Sequence, residues 1–179
     1  MNIPNLQALY TKEEIDKSVE LLGKKITQDY KDILEPNQFL VILCVLKGGF
    51  IFCADLVRHI KLPVRIDFIS LSSYGNQTNS TGTVELRCPF KEEIKDQQVL
   101  IVEDIIDTGI TMDFLKKYLA TFQPREIKLA SFLHKPERTK IEHKIDYLCY
   151  SVPDEFVVGY GLDYQGQYRQ LDYLAKFIQ

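Results

Sequence analysis

VLIVEDIIDTGITM, residues 99–112, decides the fold. Its first four residues are apolar without interruption, the pattern of a strand buried on both faces of a sheet. The run ends in Glu103 and Asp104, and Asp107 then leads through Thr108, Gly109, Ile110 and Thr111 into a segment of helical pattern at 112–122. The unit is therefore a strand, a turn and a crossover helix. The same grammar recurs upstream, where FLVILCVL (39–46) reads as a second buried strand and 50–59 as its helix. Pro63 restarts the chain into VRIDFISL (64–71), and IKLASF (127–132) repeats the strand theme. Apolar strands alternating with helices of about ten residues define an α/β protein, a mostly parallel twisted sheet flanked by helices on both faces. Ligands in such sheets sit at the carboxyl ends of the strands.

Three segments lie outside that alternation. Thr11 and Glu14 form a capping box, and Ile15, Val19, Leu22 and Ile26 recur at helical spacing, so 11–30 is expected to be an amphipathic helix. SSYGNQTNSTG (72–82) carries no charge and reads as a long loop, either a lid or a plain connector. From Val152 onward, VPDEFVVGYGLDYQGQYRQLDY sets a short apolar strand among Gly, Asp and Tyr instead of another helix.

Composition bounds the function. The chain has 179 residues, 45% of them hydrophobic and 26% charged, the balance of one globular domain that buries about 70% of its surface without a staple. Its 22 basic and 25 acidic residues give a net charge of −3, which argues against a surface built for a nucleic-acid backbone or an anionic membrane. Cys44, Cys53, Cys88 and Cys149 match no zinc spacing and no secreted framework, so buried free thiols in a reducing cytoplasm are expected. No stretch reaches 18 apolar residues, and the amino terminus lacks the basic start and apolar run of an export signal.

Chemistry concentrates where strand 99–102 ends. Three carboxylates within five residues are unfavourable at the end of a buried strand unless a cation, hydroxyls or amides meet them. Adjacent strand residues point to opposite faces, so Glu103 and Asp104 share a ligand only where the chain has left regular strand geometry. Asp107 to Thr111 place a glycine and two hydroxyls at a helix N-terminus, where free N–H groups favour phosphate. A single Asp or Thr there would be read as an ordinary helix cap; the whole cluster points to a phosphorylated, hydroxyl-bearing ligand with a divalent metal. Lys47, Gly48 and Gly49 make a second anion-site candidate, although a tight strand-to-helix turn explains a KGG triplet equally well. GxxxxGK[ST] and GxGxxG are both absent, which disfavours a nucleoside-triphosphate loop and a dinucleotide fold.

The stretch 99–112 resembles the fingerprint of the type I phosphoribosyltransferases, two acidic residues, two apolar residues and D[TS]GxT after a strand. The likeness extends from about Phe39 to the C-terminus, and LHKPERT with PDEFVVGYGLDY narrows it to the hypoxanthine-guanine enzymes. It implies one domain over 1–179, with a core of about 37–150 and a hood from about 152–179 with the N-terminal region. It also implies Mg²⁺-dependent transfer of the phosphoribosyl group from phosphoribosyl pyrophosphate to N9 of hypoxanthine or guanine, giving IMP or GMP and pyrophosphate. Alternatives are another base, xanthine or uracil, or a non-catalytic nucleotide-sensing regulator on the same fold.

Residue by residue, the resemblance makes Asp107 the general base. Glu103, Asp104, Thr108, Gly109, Ile110 and Thr111 would hold the ribose and its 5′-phosphate, and Lys47, Gly48 and Arg169 the pyrophosphate. A cis peptide is expected between Lys47 and Gly48. Lys135 would meet the exocyclic oxygen of the purine, Phe156 stack on the base, Val157 read its edge, and Asp163 lie near the base and serve the metal with Glu103 and Asp104. Ser73 and Tyr74 would belong to a closing lid. Taken singly, Lys135 is a surface lysine, Phe156 a core aromatic, Asp163 a turn residue and Arg169 a solvated side chain. His59, His134 and His143 find no partner for acid–base chemistry and read as structural. A cytoplasmic homo-oligomer, dimer or tetramer, is also implied.

Overall fold

A computed structural model of the chain describes residues 5–73, 84–88, 90 and 93–178. Six strands form one sheet in the order β4-β3-β2-β5-β6-β7, comprising β2 (Leu40–Leu46), β3 (Val64–Ser73), β4 (Val84–Cys88), β5 (Gln98–Ile106), β6 (Glu126–His134) and β7 (Tyr147–Ser151). The β3-β2-β5-β6-β7 pairs are parallel, and β4 closes one edge antiparallel to β3. Helices α1 (Lys12–Tyr30) and α2 (Phe50–His59) cover one face, where they join Leu40, Ile42, Cys44, Leu100 and Val102 in one apolar cluster. Helix α3 (Ile110–Ala120) covers the other, with Val41, Leu43, Val45, Val99 and Ile101. Successive residues of β2 and β5 thus feed opposite clusters, which is why those strands are apolar throughout.

Local signals account for the boundaries. Thr11 Oγ1 accepts from the Glu14 amide at 3.4 Å and Glu14 Oε2 accepts from the Thr11 amide at 2.8 Å, the expected capping box. Ile15, Val19, Leu22 and Ile26 are all buried. Helix α3 begins at Ile110, two residues before the expected 112, because Gly109 adopts φ 81° and turns the chain into the helix at once. The expected loop 72–82 begins too early: Ser72 and Ser73 belong to β3, paired with Glu85 and Val84. Their polar character misled, since this end of the sheet lies at its edge. Tyr74 and the rest of that loop lie outside the described residues.

A second, antiparallel sheet in the order β1-β9-β8 joins both chain ends, with β1 at Leu6–Tyr10, β8 at Val157–Val158 and β9 at Leu174–Phe177. The two-residue β8 is the apolar strand expected after Val152; β1 and β9 were not anticipated, because neither is long enough to show a period without its partner. Cys44 and Cys53 are buried and unpaired as expected, while Cys149 is half-buried. Among the described residues, no helix is long and apolar enough to cross a membrane.

Candidate active site

The carboxyl ends of β2 and β5 open into a cavity of about 720 Å³. Strand β5 outruns its neighbour: pairing with β2 ends at Val102, while pairing with β6 continues to Ile106. Glu103 and Asp104 are therefore held on one side only, and both line the cavity although they are adjacent in a strand. Asp104 donates its backbone N–H to Oε1 of Glu103 at 3.2 Å. Burial pushes the Glu103 carboxyl well above the usual carboxylate range, and the charge of Asp104 adds to the rise. Such a pair calls for a cation or hydroxyl donors.

Beyond it, Asp107 to Thr111 form the rim and lead into α3. The first N–H groups of a helix lack intrahelical acceptors, so this rim presents donors to an anion. The turn is pinned from behind by a segment that sequence reasoning passed over. The amides of Lys140 and Ile141 donate to the Thr108 carbonyl at 3.0 and 3.1 Å, and His143 Nε2 lies 2.8 Å from the Gly109 carbonyl oxygen. His143 is structural, as expected.

Lys47 and Gly48 line the facing wall, and the cis peptide of this turn precedes Lys47, at Leu46–Lys47. The expected position, Lys47–Gly48, is one bond too late; β2 ends at Leu46, and the reversal starts at the first bond beyond it. From the C-terminal segment come Asp163 and Arg169. Arg169 donates through Nη1 to the Gly161 carbonyl at 2.6 Å and pairs through Nη2 with Oδ1 of Asp163 at 2.5 Å, while the Gly166 amide donates to Asp163 Oδ2 at 2.7 Å. Among the described residues, no three His, Cys, Asp or Glu side chains form a closed metal cage. The buried carboxylate of Glu103 beside the half-buried one of Asp104 fits a weakly held divalent ion that keeps its waters.

The phosphoribosyl transferase domain model matches residues 8–165. The hypoxanthine-guanine phosphoribosyltransferase of Dictyostelium discoideum is 40% identical over 173 residues, 95% of this chain and 94% of that protein. The chain belongs to the hypoxanthine-guanine phosphoribosyltransferase family. A crystal structure of a hypoxanthine-guanine phosphoribosyltransferase from Bacillus anthracis is similar at TM-score 0.88 and 42% identity, covering 96% of this chain and 98% of that one. The hypoxanthine phosphoribosyl transferase of Trypanosoma cruzi is similar at TM-score 0.91 and 37% identity, covering 99% and 93%. The family match begins at residue 8, well before the Phe39 from which the motifs are legible.

Lys135, Phe156 and Val157, expected to meet the base, are not among the residues that line this cavity, whereas Asp163 is. Lys135 is buried, with Nζ 3.7 Å from Oδ1 of Asp154. Phe156 is 55% exposed and leans on Tyr164 and Phe177, with ring centroids 5.6 and 5.9 Å away. Val157 is buried in β8. Ser73 ends β3, and nothing further is described of the expected lid. Arg138 and Lys140 line the cavity and were not singled out from sequence. The signal was available: HKPERTK follows directly on a buried strand, at the sheet end where ligands bind.

Proposed function

We propose that this transferase moves the 5-phosphoribosyl group from phosphoribosyl pyrophosphate to N9 of hypoxanthine or guanine, giving IMP or GMP and pyrophosphate. The observation that carries the reading is one cavity lined by the Glu103–Asp104 pair, the Asp107–Thr111 turn, Lys47 and Arg169. Breaking the glycosidic C–O bond builds positive charge on the ribose, and carboxylates beneath the sugar stabilise it. Glu103 and Asp104 hold the ribose hydroxyls; Thr108, Gly109, Ile110 and Thr111 hold the 5′-phosphate; Lys47, Gly48 and Arg169 hold the pyrophosphate. Glu103, Asp104 and Asp163 would hold Mg²⁺, which would supply charge neutralisation at the leaving group. Asp107 takes a proton from purine N7. Lys135, Phe156 and Val157 recognise the base, and a lid with Ser73 and Tyr74 excludes water.

The small sheet with the C-terminal segment is read as a hood over a core of about 37–150, all in one domain. Homo-oligomerisation, as a dimer or tetramer, is supported by Ile66 and Phe68 of β3, which are 42% and 44% exposed on a face that α2 leaves uncovered. A cytoplasmic location fits the unpaired thiols.

The test is pyrophosphate release from phosphoribosyl pyrophosphate and Mg²⁺ with hypoxanthine, guanine, xanthine, adenine and uracil in parallel, with and without EDTA. Turnover with hypoxanthine or guanine that EDTA abolishes is the expected result. Turnover with uracil alone overturns the roles of Lys135 and Phe156. Silence with every base in folded protein favours a nucleotide-sensing regulator.

A further inference from the structure

Arg138 joins two parts of the site that come from distant stretches of chain. Its Nε donates to Oδ1 of Asp107 at 2.6 Å, and Nη1 reaches Oδ1 and Oδ2 of Asp154 at 3.3 and 3.5 Å. Oδ1 of Asp154 lies in turn 3.7 Å from Nζ of Lys135. Four side chains of alternating charge therefore run from the cavity rim to a buried ammonium. The backbone sets this up: the Lys135 amide donates to the Ile106 carbonyl at 2.9 Å, beside Asp107, and the single 3₁₀ turn Pro136–Arg138 then swings residue 138 back over it.

Stability does not explain the arrangement. Asp107, Arg138 and Asp154 are all well open to solvent, where ion pairs contribute little. What a guanidinium supplies there is direction, because its donors are fixed in one plane. The contact engages Oδ1 of Asp107 and leaves Oδ2 to act.

We infer that Arg138 is a positioning residue for proton transfer: it holds the Asp107 carboxylate by Oδ1 so that Oδ2 meets the purine, and through Asp154 it ties that orientation to Lys135. The inference rests on the phosphoribosyl-transfer reading above. In the step, the purine N7–H bond breaks and the proton passes to Oδ2 of Asp107. The electron pair stays on the ring, whose N9 bonds to the anomeric carbon of the ribose as pyrophosphate leaves. The competing role for Arg138, which also lines the cavity, is as a ligand for the phosphates of the substrate.

Steady-state pyrophosphate release with hypoxanthine, measured on the full chain, separates the two. Arg138→Gln is expected to lower kcat about 10- to 100-fold, the scale of a misplaced reacting group, with KM for phosphoribosyl pyrophosphate within about twofold of wild type. Arg138→Lys, which keeps the charge but not the planar fork, is expected to recover only part of the loss. Guanidinium ion at millimolar concentration is expected to raise turnover of Arg138→Gly and leave wild type unchanged, an effect that a merely structural role does not produce. A wild-type kcat in Arg138→Gln overturns the inference, as does a loss confined to KM for phosphoribosyl pyrophosphate. Wild-type protein in the same assay keeps the two readings apart: a silent wild type sinks phosphoribosyl transfer itself, whereas an active wild type with an equally active Arg138→Gln sinks only the role of Arg138.

Discussion

Gly48 and Asp104 occupy nearly the same space: a Cβ at residue 48 would lie 1.5 Å from Oδ2 of Asp104. The carboxylate at the end of β5 keeps its place only because the turn after β2 has no side chain there. That carboxylate is the end of a short flexible side chain, so it can swing aside when a methyl group arrives. Gly48→Ala is therefore expected to fold with a Tm within about 5 °C of wild type, since the rotation gives up one hydrogen bond, that from the Ile105 amide to Oδ1 of Asp104 at 2.9 Å. Its kcat/KM is expected to fall about 100-fold, because the group proposed to meet the ribose is displaced. Unchanged kcat/KM by initial-rate assay would remove Asp104 from sugar binding.

Gly109 poses the opposite case. Its φ is 81°, and a Cβ there would lie 2.1 Å from the backbone carbonyl oxygen of Ile141, which cannot rotate away. Gly109→Ala is expected to cost about 1–3 kcal/mol, from the left-handed conformation and the clash together. For a chain of this length, that is a fall in Tm of roughly 3–10 °C. Calorimetry on the variant checks it, and weaker binding of phosphoribosyl pyrophosphate should accompany the loss because the same turn is proposed to hold the 5′-phosphate.

Asp107 tests the chemical step. Asparagine at this position keeps an oxygen for Arg138 but cannot take a proton. Asp107→Asn is expected to lower kcat about 10²- to 10⁴-fold, the usual contribution of a general base, while affinity for the nucleotide product stays near wild type. Turnover at the wild-type rate, with IMP binding measured alongside by calorimetry, would assign the base elsewhere.

The division between what could and could not be read from sequence follows the range of the interactions. Helix α1 was legible to its cap because Thr11, Glu14 and the apolar residues that follow are local signals. The acid pair and the turn that follows it were legible as one cluster because they lie in one short stretch. The sharing of one cavity by Glu103 and Asp104 was not, since it depends on β2 ending its pairing at Val102, a property of two strands together. The contact of Arg138 with Asp107 was not legible for the same reason: 31 residues separate the two, and only the return of β6 beside β5 brings them together. The exposed ring of Phe156 and the burial of Lys135 likewise depend on β9 and on Asp154, which carry no motif of their own.

Alkaline pH should act on the core. Burial pushes the phenols of Tyr30, Tyr147 and Tyr160 well above their ordinary value of 10.0, and Tyr147 and Tyr160 also donate to Asp29 and Asp55 at 3.0 and 2.7 Å. Burial likewise pushes the Cys149 thiol up to about 11 from 9.0. Each of these groups keeps its proton in the folded chain and releases it sooner in the unfolded one. Above pH 9–10 the unfolded state therefore binds fewer protons than the folded state, so stability is present in full below that range and falls as pH rises through it. Tm measured from pH 8 to pH 11 is expected to drop steadily across the upper half of the range. Phenolate absorbance should rise in two steps, exposed tyrosines first and these three only with the loss of helical signal. Complete ionisation of all ten tyrosines while the far-ultraviolet spectrum remains native would show that the three phenols are not sealed within the fold.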